Sequence, residues 1–310
     1  MKMYDLVIIG GGPAGCAAAV YAARKELSTA IITTEFGGQS VVSETIYNWI
    51  GTPEISGNDL AKNLKAHTEY YKGKFLDIFE REKVTSITKQ SDDTFLIKTE
   101  KETEFHAKTV LVTTGSSRKK LLVPGADQFE NKGVVYCASC DGPLFSGMPV
   151  AVIGGGNAGF ESAAQLLAYC PVVYLINRSN SFKADAITVE KISAHPNMRV
   201  LKNTVPLEVI GDKFVSGLKI LNKETNIEEV LPISGVFVEV GQIPNTDYLH
   251  DLVEKNEFGN IKINPWTQAS SQSGIWAAGD CTDVYYHQNN IAAGDAVKAI
   301  EDIYITLKTK

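Results

Sequence analysis

A chain of 310 residues, 44% hydrophobic and 21% charged, has the make-up of a globular protein long enough for two domains, each with its own core. Thirty lysines and arginines against thirty-six acids leave a formal charge of −6, with no basic stripe to grip nucleic acid. The lysine clusters (Lys119-Lys120, Lys308 and Lys310) read as solvated, and no window approaches the roughly 18 apolar residues of a membrane helix.

Tyr4–Ile9 is a continuous apolar run suited to a strand buried on both faces, and too short to be the core of a signal peptide. The turn Gly10-Gly-Gly12-Pro13-Ala14-Gly15 follows, then the helix former Ala17–Ala23 and a second strand at Thr29–Thr33. In this strand–turn–helix setting Gly10 permits the turn. Gly12 lets a pyrophosphate approach the backbone, and Gly15 lets helix and strand pack closely. The helix N-terminus offers amide donors and partial positive charge. Glu35 lies about 20 residues beyond Gly15, where an acid accepts hydrogen bonds from an adenosine ribose.

Further along comes Cys137-Ala-Ser-Cys140-Asp141, whose spacing lets two sulfurs close a small ring reversibly. Asp141 is the adjacent proton carrier for departing thiolates, or alternatively a turn residue before Gly142-Pro143. No second cysteine pair or nearby histidine pair completes a zinc site, and Cys16, Cys170 and Cys281 read as isolated, buried structural residues. Five cysteines with no export signal point to a reducing cytoplasm rather than a disulfide framework.

The first pattern then repeats. Pro149–Gly154 is a strand, Gly154-Gly-Gly156-Asn157-Ala158-Gly159 the turn, Phe160–Leu167 a helix and Val172–Ile176 the next strand. Pro13 in the first turn follows the style of FAD sites. In the second unit, Asn177 stands where an acid would select NADH, while Arg178 and Lys183 supply cations for a 2′-phosphate. The site therefore leans toward NADPH, with NADH as the alternative. Two dinucleotide sites with a dithiol between them describe an electron relay: nicotinamide to flavin, flavin to disulfide.

With these motifs in place, the chain resembles the low-molecular-weight thioredoxin reductases and the reductase portion of the alkyl hydroperoxide reductase flavoprotein subunit. Both belong to class II of the pyridine nucleotide-disulfide oxidoreductases. The matching segments are the two glycine turns, Gly37-Gly38-Gln39, Asn48-Trp-Ile-Gly51, Thr114-Gly115-Ser116, Tyr136–Gly142, Glu161, Gly241 with Pro244-Asn245, and Ala278-Gly279-Asp280. Cys140–Phe145, Gly154–Asn157 and Gly279–Thr282 look more like the hydroperoxide-reductase branch. That branch carries an extra thioredoxin-like N-terminal region. Here the chain starts almost at the first fingerprint, so the expected protein electron acceptor is a separate polypeptide.

The resemblance implies an α/β fold of two Rossmann-like, three-layer domains. The FAD domain is discontinuous (1–115 and 244–310), with an NAD(P)H domain carrying the Cys-x-x-Cys inserted at 116–243. It implies FAD contacts at Gly38, Gln39, Asn48, Thr114, Gly115, Gly279, Asp280 and Gln288, with Asp280 on a ribityl hydroxyl. His287 replaces the family's cation, and a flavin-facing role stands level with a surface role. By the same resemblance Cys140 faces the flavin, Cys137 attacks the substrate disulfide and Asp141 moves protons. The nucleotide domain rotates on hinges near Thr114–Ser117 and Val240–Gln242. The expected activity is reduction of a protein disulfide, with thioredoxin as acceptor and a homodimer as the assembly. The alternatives are an NADH-dependent peroxiredoxin reductase using a thioredoxin- or glutaredoxin-like carrier, a ferredoxin-dependent relative, and a flavin-containing regulatory protein.

Overall fold

A computed structural model describes residues 2–43 and 45–308, so Lys310 lies outside the described residues. The chain enters through strand β1 (Met3–Gly11), helix α1 (Pro13–Arg24), strand β2 (Thr29–Phe36), helix α2 (Gly57–Tyr70) and strands β3 (Leu76–Glu80), β4 (Val84–Lys89), β5 (Phe95–Thr99) and β6 (Glu104–Val112). It leaves on β7 (Ser116–Arg118) and builds a second unit. This comprises β8 (Val134–Val135), α3 (Ala138–Asp141), β9 (Val150–Ile153), α4 (Asn157–Leu166), β10 (Val173–Ile176), α5 (Ala186–Ser193) and β11 (Met198–Leu201). The antiparallel strands β12 (Thr204–Gly211), β13 (Val215–Asn222) and β14 (Ile227–Leu231) follow, then β15 (Gly235–Val238). The chain returns on β16 (Gln242–Pro244) and finishes the first unit with β17 (Ile275–Ala277) and α6 (Asn289–Lys308). By contacts the units are Met1–Ser117 with Ile243–Lys310, and Arg118–Gln242. The two connecting strands, β7 and β16, pair with each other.

In the first unit the sheet order is β3-β2-β1-β6-β5-β4, with β17 paired to the far half of β6. β1 is parallel to both β2 and β6, which explains its unbroken apolar run: it is central and covered on both faces. Leu6 and Ile8 pack toward Ala18, Ala22, Ala296 and Ile300 of α1 and α6, while Val7 and Ile9 pack on the other face with Phe95, Leu249 and Ile261. The small residues on α1 and α6 let the two helices lie close together.

The second unit repeats the plan in the order β11-β10-β9-β15-β8, all parallel. Val150 and Val152 of β9 meet Phe160, Ala163 and Leu166 of α4. Ala151 and Ile153 face Val209, Leu218 and Leu231 of the β12–β14 sheet, which takes the place of a helical layer. In each sheet the strand that precedes the glycine turn sits where the strand order reverses, the position at which open α/β sheets bind ligands.

The helices after the glycine turns begin earlier than apolar periodicity predicts: α1 at Pro13 rather than Ala17, and α4 at Asn157 rather than Phe160. Periodicity starts only where side chains bury, whereas the first turn of α1 is set by Pro at the favoured N-terminal position. After Asp280 the chain does not enter a helix at once. Thr282 folds back onto Gly279 by a 2.7 Å hydroxyl bond, and an irregular segment precedes α6.

Candidate active site

The helices divide into two groups by how they begin. Helix α2 is capped by Ser56, whose hydroxyl accepts from the Asp59 amide, and α5 by Asp185, which accepts from the amides of Ile187 and Thr188. Helices α1 and α4 start at Gly12 and Gly156 with no side-chain cap. Their first-turn amides are left for a ligand, and both follow the glycine turns. A side chain on Gly12 would meet only the Gly38 Cα at 4.0 Å, and one on Gly156 would meet nothing within 4 Å. These two faces are therefore open. Gly15 and Gly159 are closed: a Cβ on either would overlap the carbonyl of the glycine five residues earlier. Gly10 and Gly154 adopt φ of 115° and 136°, which side-chain-bearing residues rarely reach.

In the first unit the other residues expected to hold the flavin gather about the turn. Gly38 has φ 59°, and Gln39 donates its amide to the Ser116 carbonyl and lies 3.2 Å from the Ser116 hydroxyl. Gly279 lies against Ala14 and Ala292, which puts the half-buried Asp280 near the first turn of α1. Asn48 donates to Gln288 at 3.1 Å, and Asn290 donates to the Asn48 carbonyl at 2.7 Å, joining that loop to the start of α6. Thr114 donates to the Asn245 carbonyl at 2.7 Å, and the Asn245 side chain returns a bond to the Thr114 carbonyl at 3.0 Å. Gly115, with φ 61°, accepts from the Asn245 amide. His287 is half-buried with Nε2 at 3.1 Å from the Val284 carbonyl oxygen, and Glu35 is exposed at the end of β2. The open glycine faces, the uncapped α1 and this ring of amides and hydroxyls fit a dinucleotide such as FAD.

In the second unit Cys137 and Cys140 form a disulfide across the first turn of α3. The Cys140 amide donates to the Cys137 sulfur at 3.2 Å, which favours negative charge on Cys137 once the bond is opened. Both sulfurs belong to half-buried residues. The other three cysteines are free and buried, and burial pushes the thiols of Cys16 and Cys170 up to about 11 and that of Cys281 up to about 12. They are inert in comparison. Burial also pushes the Asp141 carboxyl up to about 6, against the pull of the Arg118 charge, so it exchanges protons near neutrality.

The glycine turn of this unit is tied to the segment after β10. The Lys183 amide donates to the Gly155 carbonyl at 3.0 Å, and the Asp185 amide donates to Asn157 Oδ1 at 3.0 Å. Asn177 is buried and turned inward, donating to the carbonyls of Ser179 and Ser181, while Arg178 and Lys183 are exposed. Ala158 continues the first turn of α4, and Glu161, one turn on, is half-buried.

Sequence reasoning missed Glu239, which directly follows β15 beside the turn. The Gly154 Cα faces its carbonyl, and its carboxylate accepts from the buried Ser162 hydroxyl at 2.6 Å. Burial pushes this carboxyl up to about 7. The available signal was an acid ending the apolar run Gly235–Val238. Among the described residues no cluster of metal-ligating side chains occurs, and no helix is long and apolar enough to cross a membrane.

The family model described as pyridine nucleotide-disulphide oxidoreductase matches residues 4–296. Over 296 residues the chain is 38% identical to a Bacillus subtilis protein named NADH dehydrogenase, covering 96% of this chain and 57% of that protein. It is also 38% identical over 299 residues to an Escherichia coli alkyl hydroperoxide reductase subunit, with the same coverage of each. The chain thus spans a little over half the length of these relatives. Among solved structures, thioredoxin reductase from Streptococcus pyogenes superposes with a TM-score of 0.90 at 32% identity, covering 99% of both chains. Thioredoxin reductase from Giardia duodenalis gives 0.93 at 29% identity, covering 99% of this chain and 100% of that one.

Proposed function

Because the chain belongs to the pyridine nucleotide-disulphide oxidoreductase family, we propose that it passes electrons from NAD(P)H through FAD to the Cys137–Cys140 disulfide and on to a disulfide in a partner protein. The observation that carries this reading is the dithiol itself. A reversible disulfide stands beside a carboxyl that titrates near 6, in the same unit as an uncapped glycine-turn helix. On this reading the first unit holds FAD and the second holds the nicotinamide nucleotide. FAD, when bound, accepts two electrons from a nicotinamide and releases them to a disulfide.

The chain's own residues do the rest. Opening the disulfide takes two electrons and, with Cys137 left as the thiolate, one proton; Asp141 delivers that proton to the Cys140 sulfur and takes it back when Cys140 attacks on re-oxidation. Cys137, stabilised as thiolate by the Cys140 amide, attacks the partner's disulfide to form a mixed disulfide. Cys140 then displaces the partner as a dithiol and restores the Cys137–Cys140 bond. The exposed cations Arg178 and Lys183, together with the neutral Asn177 in place of an acid, support NADPH as donor.

Thioredoxin is the acceptor we favour, from the near full-length match to thioredoxin reductase structures. A second reading, a carrier that feeds a peroxiredoxin, rests on the 38% identity to alkyl hydroperoxide reductase proteins. The proposal includes a homodimer in the cytoplasm, to be checked by light scattering and fractionation. Steady-state turnover of the FAD-loaded chain with NADPH and NADH in parallel, with thioredoxin and with a peroxiredoxin-linked carrier, tests all of these. The proposal expects NADPH-driven reduction of thioredoxin; no disulfide reduction with any donor would reject it.

A further inference from the structure

The carboxylate beside the second glycine turn is not used by the scheme above, yet it occupies a deliberate position. Glu239 follows β15, which runs parallel to β9, and the boundary between these strands is where the sheet order reverses. Ligands of such sheets lie outside the carboxyl ends of the strands at that point. The Glu239 amide donates to the Ile153 carbonyl at 2.8 Å, fixing the backbone at the mouth of the turn. Its side chain is held by the 2.6 Å bond from Ser162 on α4, the helix whose uncapped start receives the phosphates in the proposed function.

The two redox forms of a nicotinamide nucleotide differ at one place: the oxidised ring carries a positive charge and the reduced ring carries none. Resting on the proposed function, we infer that Glu239 distinguishes these two forms. When ionised it favours the cationic oxidised ring; when protonated it leaves the two forms alike. Ser162 is the positioning residue that aims and tunes it.

The groups that set its charge are few. Burial pushes the Glu239 carboxyl up to about 7, with Glu161 of α4 adding to the rise, while the Ser162 hydroxyl and the charge of Arg118 on β7 oppose it. Asp141, near 6, shares the Arg118 field. Glu239 therefore changes charge across the physiological range, and with it the balance between holding and releasing the oxidised nucleotide. As pH rises through 7 the product form is held more tightly relative to the reduced form.

The test is calorimetric and needs no turnover. The FAD-loaded protein is titrated from pH 6 to 8.5 with the oxidised nucleotide and, separately, with the tetrahydronicotinamide analogue, whose ring is neutral and gives no hydride. The ratio of the two dissociation constants removes every titration common to both ligands, including that of a 2′-phosphate. In the native protein the ratio should shift toward the oxidised form by about fivefold with rising pH, the scale of one partly screened charge pair. In Glu239→Gln, which keeps a partner for Ser162, the ratio should be flat. In Ser162→Ala, which removes a bond that favours the charged form, the midpoint should move to higher pH. An equal pH response in native protein and Glu239→Gln, or a native ratio independent of pH, overturns the inference while leaving the electron relay standing. Failure of the native protein to bind either nucleotide overturns both.

Discussion

Around the first glycine turn the side chains that close in are hydroxyls, amides and small apolar groups. Thr113 lies against Gly10, Thr33 against Gly11, and Ala292 against Gly279, while Glu35 stays at the exposed end of β2. The second turn keeps the same backbone, with an uncapped helix after a φ-positive glycine, but Glu239 is set directly against it. Asp141 in that unit, like Glu239, has its carboxyl pushed toward neutrality by burial. Holding phosphates needs only amides and room for a close approach. Protonatable carboxylates are placed where, on the proposed function, charge changes during turnover: at the nicotinamide and at the dithiol. On the proposed function one turn holds a resident group, and the other receives a group that arrives with one charge and leaves with another.

The sharpest break in that comparison is at the dithiol. Cys140→Ser should lower disulfide reduction by about a thousandfold, as loss of a covalent participant does, while flavin bleaching by NAD(P)H in stopped flow persists. The next test crosses the two turns. Gly12→Glu and Gly156→Glu each place a carboxylate in an open face that, on the proposed function, receives phosphates. The first should give a colourless protein; the second should give a yellow one whose nucleotide affinity falls by about a hundredfold, an order set by an unpaired charge near the phosphates. If both variants lose flavin, or neither does, the two turns do not serve different ligands.

Asp141→Asn should slow disulfide reduction about tenfold near pH 7 and remove the inflection near pH 6 from the rate profile. The same substitution has a stability signature. The folded-state pKa is raised, so below the unfolded value near 4 both states are protonated and the carboxyl is no burden to folding. Between about pH 4 and 6 the unfolded chain ionises this carboxyl while the half-buried folded one stays protonated, so stability falls through that window and the cost is complete above about 6. The asparagine variant should therefore be more stable than the native protein by about 1–2 kcal/mol at pH 8 and equal to it below pH 4, measured by urea unfolding. The smallest effect compares helix starts. Asp185→Ala, which uncaps α5, should cost about 1 kcal/mol. Gly156→Ser, which offers α4 the cap it lacks, should stabilise the unliganded protein by about 0.5 kcal/mol and weaken nucleotide binding.

The fold was legible where the sequence is locally consistent. Tyr4–Ile9 and Pro149–Ile153 announce central parallel strands because both faces of each are covered, and the glycine turns announce the helices that follow. The three-stranded sheet over the second unit was not foreseen. Strands β12–β14 mix buried and exposed residues without clean alternation, and their pairing carries two register shifts. Within the candidate site, the cysteines and glycines were readable because few other residue types can do what they do. Glu239 was not, because an acid at a strand end is usually solvated. Only the return of β15 beside β9, far away in sequence, shows that this one is half-buried and held by Ser162. Asn177 was legible only as the absence of an acid; its hold on the loop through the Ser179 and Ser181 carbonyls is visible only in three dimensions.

On the proposed function electrons move from a nicotinamide into Cys137 and Cys140 of this chain, and anaerobic titration with NADPH counts them. The FAD-loaded native protein should consume about two equivalents per chain, one for the flavin and one for the disulfide, and should expose two new titratable thiols; Cys140→Ser should consume about one. Native protein that stops at one equivalent, with no thiols gained, would contradict the account.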